Sequence, residues 1–185
     1  MKQMNTQAMT AWAMKARALS LVCLNKNAHC RGFSCQTGSV KRMQFRSFEE
    51  YAREHGIEIE VIPEVQNSDY ESGVATIDGA QWHIRTARNT PTKPGAFVAF
   101  WHRDADGATA PFAADEVAAG LLVFVRQERR RGVFQFTPEH LESLGITAGK
   151  YAGKRGFRVY PAWSQGLNRQ AAATQRAQST AFREY

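Results

Sequence analysis

The sequence predicts an α+β domain on a central sheet, mostly antiparallel or mixed, flanked by short helices and followed by a C-terminal helix. Three observations carry this. Asp78-Gly79 is a two-residue hairpin turn inside "VATIDGAQWHIRTAR", between two hydrophobic segments. "LLVFVRQ" and "GVFQF" form another strand pair, joined by "ERRR". Helix signals stand before, after and once within a run of strands rather than alternating with them, which is an α+β order.

The elements follow in chain order. Ser47 followed by Glu50 has capping-box spacing and predicts a helix over Phe48–His55, ended by Gly56. "IEIEVI" alternates and predicts a strand stopped by Pro63. The polar stretch "EVQNSDYESG" leads into the hairpin. "AFVAFWH" is the next strand, "RDADGATAPF" a turn and loop, and "AADEVAAG" a helical turn. The apolar run "LLVFV" predicts a strand buried on both faces. Thr137 as N-cap with Pro138 at the first helical position predicts a short helix over Pro138–Leu144. "GFRVYP" is a late strand, and the Ala-rich sequence from Asn168 to the end predicts a terminal helix.

The 185 residues suit one domain with an appended segment. With 43% hydrophobic residues the chain can bury a real core, which excludes a disordered class. No run approaches the ~18 apolar residues of a membrane span. The net charge of +7 is unevenly placed. Residues 1–48 hold eight of the 24 basic residues and none of the 17 acidic ones, so 16 basic face 17 acidic residues in the remainder. A cationic site on the body must therefore be local, and total charge alone does not imply nucleic acid.

Residues 1–42 are read as a basic extension, disordered or non-native, with a helix near Ala8–Val22. "MQFRSFEEYAREHG" reads as a natural beginning, so the domain is placed at residues 43–185. Cys23, Cys30 and Cys35 all lie in the extension, at a spacing that fits no standard zinc site. Their odd count and the Cys-free body argue against a disulfide framework and fit a reducing cytoplasm.

Three segments could carry chemistry. On the strand Gln81–Arg88, alternation puts Trp82, Ile84 and Thr86 on a core face and His83 and Arg85 on the other. Arg88 ends that strand before "NTPTK", where Pro91 and Pro94 restrict a turn carrying Thr90, Thr92 and Lys93. Arg, Lys and Thr hydroxyls form a phosphate-binding set, and a solvated turn has the same composition. The second segment, "GKRGFRVYPAW", interleaves Lys154, Arg155 and Arg158 with Tyr160 and Trp163. Such a pattern suits single-stranded nucleic acid, and equally a packed edge. The third, "NRQAAATQRAQSTAF", sets Thr174 and Gln178 four apart on a helix, with Gln175 beside them. For metal chemistry the nearby carboxylates are Asp69, Glu71 and Asp78, although Asp78 is explained as a turn residue. No phosphate-loop, dinucleotide-binding or hydrolase motif is present.

Tyr70-Glu71-Ser72, "IRTARNTPTKPGAFVAFW", Pro111-Phe112, "FRVYPAW" and "NRQAAATQRAQ" together resemble the MepB family in order and spacing. These are small bacterial proteins, often encoded near a multidrug efflux pump and its repressor. The resemblance spans residues 45–183 and leaves out the extension. It implies a restriction-endonuclease-like fold and DNA binding. Matching positions are Tyr70, Glu71, Arg85, Arg88, Thr90, Thr92, Lys93, Trp101, Arg158, Tyr160, Trp163 and Gln175. Where an active nuclease of that kind has an acid-x-Lys pair, this chain has Arg85-Thr86-Ala87-Arg88.

The resulting expectation is a cytoplasmic protein that binds nucleic acid, DNA by resemblance, in a local cationic and aromatic cleft, without a cofactor or efficient cleavage. Arg85, Lys93 and Arg158 should line one concavity, with Glu71 orienting a guanidinium. The alternatives are a metal-dependent nuclease or phosphodiesterase holding Mg or Mn on Glu71 and Asp78, and a regulatory protein that binds a small anionic ligand.

Overall fold

Phe45, Phe48 and Ala52 form a buried stripe along the first helix, α1 (Arg46–His55), at helical spacing. The computed structural model describes residues 45–66 and 68–185. The readings for residues 1–42, including the helix near Ala8–Val22 and the three cysteines, lie outside the described residues. Gly56 ends α1 in the left-handed conformation, as its position in the sequence indicates. The capping box at Ser47 does not form. The N-cap is Phe45, and Ser47 sits inside the helix, where its N–H donates to Glu71 Oε2 at 3.1 Å. A carboxylate from 24 residues further on thus satisfies an N-terminal amide of α1.

Six strands make the main sheet: β1 (Val61–Pro63), β2 (Gly73–Ile77), β3 (Ala80–Thr86), β8 (Gly120–Gln127), β9 (Arg130–Phe136) and β11 (Phe182–Glu184), adjacent in that order. β3 and β8 run parallel and every other pair is antiparallel, so the sheet is mixed. Three more strands form a second sheet in the order β10 (Gly156–Val159), β5 (Lys93–Ala99), β4 (Arg88–Thr90). β6 (His102–Arg103) and β7 (Thr109–Ala110) pair as a small hairpin. The other helices are α2 (Pro138–Ser143) and α3 (Arg169–Gln178).

Two sequence readings need correction. Strand β1 is confined to Val61–Pro63 and includes the proline, which is tolerated because β1 is an edge strand. The terminal helix stops at Gln178, and Phe182–Glu184 pair with β9 as a closing edge strand. The Asp78-Gly79 turn forms as the sequence indicates, with both residues at positive φ. Thr137 caps α2, its hydroxyl accepting from His140 N–H.

β8 is buried on both faces. Leu122 and Phe124 pack with α1, Ala75 and Ile84. Leu121, Val123 and Val125 pack with Phe134, Phe136, Leu141 and the inner residues of the second sheet, Ala96, Val98, Phe157 and Val159. The layers are therefore α1, the six-stranded sheet, and the three-stranded sheet with α2. No helix among the described residues is long and apolar enough to cross a membrane.

Candidate nucleic-acid interface

β3 is buried on both faces, so Arg85 does not reach solvent. Its side chain is wholly buried, and its guanidinium lies 5.3 Å from the Phe100 ring. Arg85 Nη2 is 2.6 Å from Glu64 Oε2, and Nη1 donates to the Ile84 carbonyl at 2.8 Å. The Nη2 contact is an ion pair rather than a well-directed hydrogen bond, and Nε has no hydrogen-bond partner among the described residues. Glu64 is also held by the Ser72 hydroxyl at 2.7 Å and lies 3.1 Å from His83 Nδ1. Burial pushes the Glu64 carboxyl up. The His83 hydrogen bond and the Arg85 charge outweigh it and bring the pKa down to about 2. Burial lowers the Arg85 pKa against the opposing pull of Glu64. The expectation that Arg85 lines an open concavity thus meets a buried ion pair.

Among the described residues Glu71 orients no guanidinium. Its carboxylate accepts from Ser47 N–H and from the Thr86 hydroxyl at 2.8 Å, tying α1 to the end of β3. Asp78 is in the hairpin turn at the far end of β2, about 20 Å away at ~3.3 Å per residue, too far to share an ion with Glu71. Among the described residues no group of three His, Cys, Asp or Glu side chains could hold a metal ion.

The outer face of the three-stranded sheet brings other expected residues together. Register places Arg88 opposite Phe97 and Phe97 opposite Arg158. Directly opposed residues share a face, so these three side chains form one row: guanidinium, benzyl ring, guanidinium. Their neighbours Ala96, Val98, Phe157 and Val159 point inward and are buried, which leaves the row outside. Arg88 is exposed and lies 3.5 Å from Asp69, itself exposed. Arg158 is half-buried, held by the Thr90 hydroxyl and by the carbonyls of Pro94 at 3.0 Å and Gly95 at 3.3 Å. These partners are neutral, so among the described residues Arg158 has no carboxylate to compensate its charge. Tyr70 meets the Phe97 ring edge-on at 6.3 Å. The turn carrying Thr90, Thr92 and Lys93 forms a shallow hollow beside the row, with Thr92 and Lys93 exposed.

A groove of about 600 Å³ runs between β10 and α3 and is lined by Lys154, Arg158 and Tyr160 among others. Gln178 closes one end. Its amide donates to Arg158 O at 2.9 Å and accepts from Tyr160 N–H at 3.0 Å, pairing with the strand edge as a neighbouring strand would. Gln175 donates to Pro161 O at 2.7 Å and anchors the loop after β10. The aromatic rings of the sequence clusters are differently occupied. Trp163 donates to Gln127 Oε1 at 3.0 Å, carries the Arg130 guanidinium 4.8 Å over its ring, and meets Phe182 edge-on. Trp101 is half-buried with the Arg103 guanidinium 5.4 Å over its ring.

The MepB-like family model matches residues 64–184. The chain belongs to the MepB-like family. A MepB crystal structure aligns with a TM-score of 0.68 and 31% identity, covering 76% of this chain and 97% of that one. A bacterial homing endonuclease, I-Ssp6803I, aligns with a TM-score of 0.39 and 14% identity over 78% of this chain and 97% of that one, a likeness too distant to carry a functional argument. No curated protein sequence matches the chain. The MepB-like region begins at Glu64, the residue that pairs with Arg85, and contains the whole Arg88–Phe97–Arg158 row. Sequence reading did not single out Glu64 or Phe97. Glu64 lies in a polar stretch with no local signal. Phe97 stands out only once the register of three strands is known.

Proposed function

We propose that this MepB-like chain binds nucleic acid, DNA in the first instance, on the outer face of the three-stranded sheet. The observation that carries this is the row Arg88–Phe97–Arg158. Two cations spaced across strands suit successive phosphates, and a partly exposed ring between them offers a stacking face to a base. Lys93 and the Thr90 and Thr92 hydroxyls extend the same edge. Glu71 and Asp78 are engaged in or placed for structural tasks at opposite ends of β2, so they do not favour a metal-dependent cleavage reading.

The test is binding of labelled single- and double-stranded DNA across salt, with the full chain and with a chain beginning at Met43. Each phosphate neutralised on duplex DNA contributes about −0.9 to the slope of log affinity against log salt, so contacts from Arg88, Lys93 and Arg158 imply about −3. Binding by the full chain alone would move the polymer-binding element to residues 1–42 and remove this reading.

A further inference from the structure

We propose that the groove between β10 and α3 receives a single nucleotide unit, base and phosphate together, either as the end of a nucleic-acid chain or as a free nucleotide. Only the first of these sources rests on the reading above.

The free edge of β10 narrows the choice of ligand. Phe100 N–H bonds to Arg155 O, which turns the backbone groups of Gly156, Arg158 and Tyr160 away from β5 and toward the groove side. At one end Lys154 N–H is already taken by Ile146 O at 2.8 Å. At the other, Gln178 takes Arg158 O and Tyr160 N–H. The opening between these closures is Gly156–Arg158, shorter than a typical strand of about five residues. An extended peptide adding to the sheet would be blocked at both ends. A small planar group fits, and the Arg158 N–H, which makes no hydrogen bond among the described residues, offers it a donor.

The lining has the matching chemistry. Its volume of about 600 Å³ lies within the range of small-ligand sites. Tyr160 is an aromatic residue of the β10 side, and small residues, Ala171, Ala173 and Ala177, leave room on the α3 side. Lys154 is its cation, since the Arg158 guanidinium turns to Thr90, Pro94 and Gly95 on the other side of β10, and none of the lining residues is acidic. Lys154 spends one of its three donors on Leu144 O at 2.7 Å. A flat aromatic body with an attached anion satisfies both halves of this lining, and a bare phosphate or an uncharged ring satisfies only one.

The experiment titrates the full chain with deoxyadenosine monophosphate, deoxyadenosine and inorganic phosphate, followed by calorimetry and amide chemical shifts. The mononucleotide should saturate, with the nucleoside and phosphate each at least about tenfold weaker. Ala177→Trp and, separately, Ala173→Trp fill the groove from exposed helix positions. Each should remove mononucleotide binding while leaving the circular dichroism spectrum and melting temperature unchanged. Linear oligonucleotides losing affinity in these variants while circular single strands do not would identify a chain end, and unchanged oligonucleotide binding would identify a free nucleotide. Absence of saturable mononucleotide binding, or full binding by both folded tryptophan variants, would overturn the proposal. If Arg88→Ala and Phe97→Ala leave oligonucleotide binding intact while the tryptophan variants lose the mononucleotide, the outer-face reading fails and the groove stands.

Discussion

Glu64 and Arg85 form an ion pair at 2.6 Å in which the guanidinium is wholly buried and the carboxylate retains a small exposure to solvent. Removing one partner leaves the other charge without compensation, which typically costs about 3–5 kcal/mol. Glu64→Ala should therefore lower the unfolding free energy by that order, measured in urea. The double variant Glu64→Leu, Arg85→Met should recover most of the loss, because replacing both members of a buried pair by apolar groups is often neutral. A double variant as unstable as Glu64→Ala alone would show that Arg85 contributes through packing on Phe100 instead.

The same carboxylate sets an acid limb. Its folded pKa of about 2 lies below the ordinary 4.5. The stabilisation is complete above the unfolded value and disappears as pH falls from about 4.5 through 2, amounting to about 3 kcal/mol. Stability of the wild-type chain should fall over that window, and the profile of Glu64→Gln should be flatter there. Equal slopes for both proteins would assign acid sensitivity elsewhere.

Gln178 holds both a carbonyl and an amide of the β10 edge. Gln178→Leu leaves these groups unpaired beside a buried apolar side chain, at a cost of about 1–3 kcal/mol for each group that water cannot reach. Faster hydrogen exchange at the Tyr160 amide, with little change in β8 and β9, is the expected signature.

Arg88→Ala should weaken DNA binding similarly across sequences and reduce the magnitude of the salt slope by about 1. Phe97→Ala should weaken single-strand binding by about 1–3 kcal/mol with an unchanged slope, since stacking releases no counterions. Duplex and single-strand affinities measured side by side separate the two effects.

Features decided within a few residues were legible in the sequence. The Asp78-Gly79 hairpin, the Thr137-Pro138 helix start and the doubly buried β8 each follow from local pattern, and each is present. What escaped depends on partners far along the chain. Arg85 looked like an exposed cation because Glu64 lies on the other side of the hairpin. Ser47 looked like a cap because Glu71, which satisfies its amide, is 24 residues away. Phe182–Glu184 looked helical because nothing local announces pairing with β9. At the interface, Arg88 and Arg158 were both recognisable by type, and strand register aligned them and put Phe97 between them.

The order in which the chain is synthesised matters for this architecture. Hairpins β2–β3 and β8–β9 join neighbours in sequence and can form early, whereas β3 must wait for β8 to supply its parallel partner. β5 has β4 on one side from the outset, but its other partner, β10, leaves the ribosome after both hairpins, and α3 and β11 follow. A nascent chain therefore carries the exposed flank of β5, with its apolar Ala96 and Val98, until β10 has been synthesised. Chaperone engagement should concentrate in that interval, and slow codons before Gly156 should lengthen it.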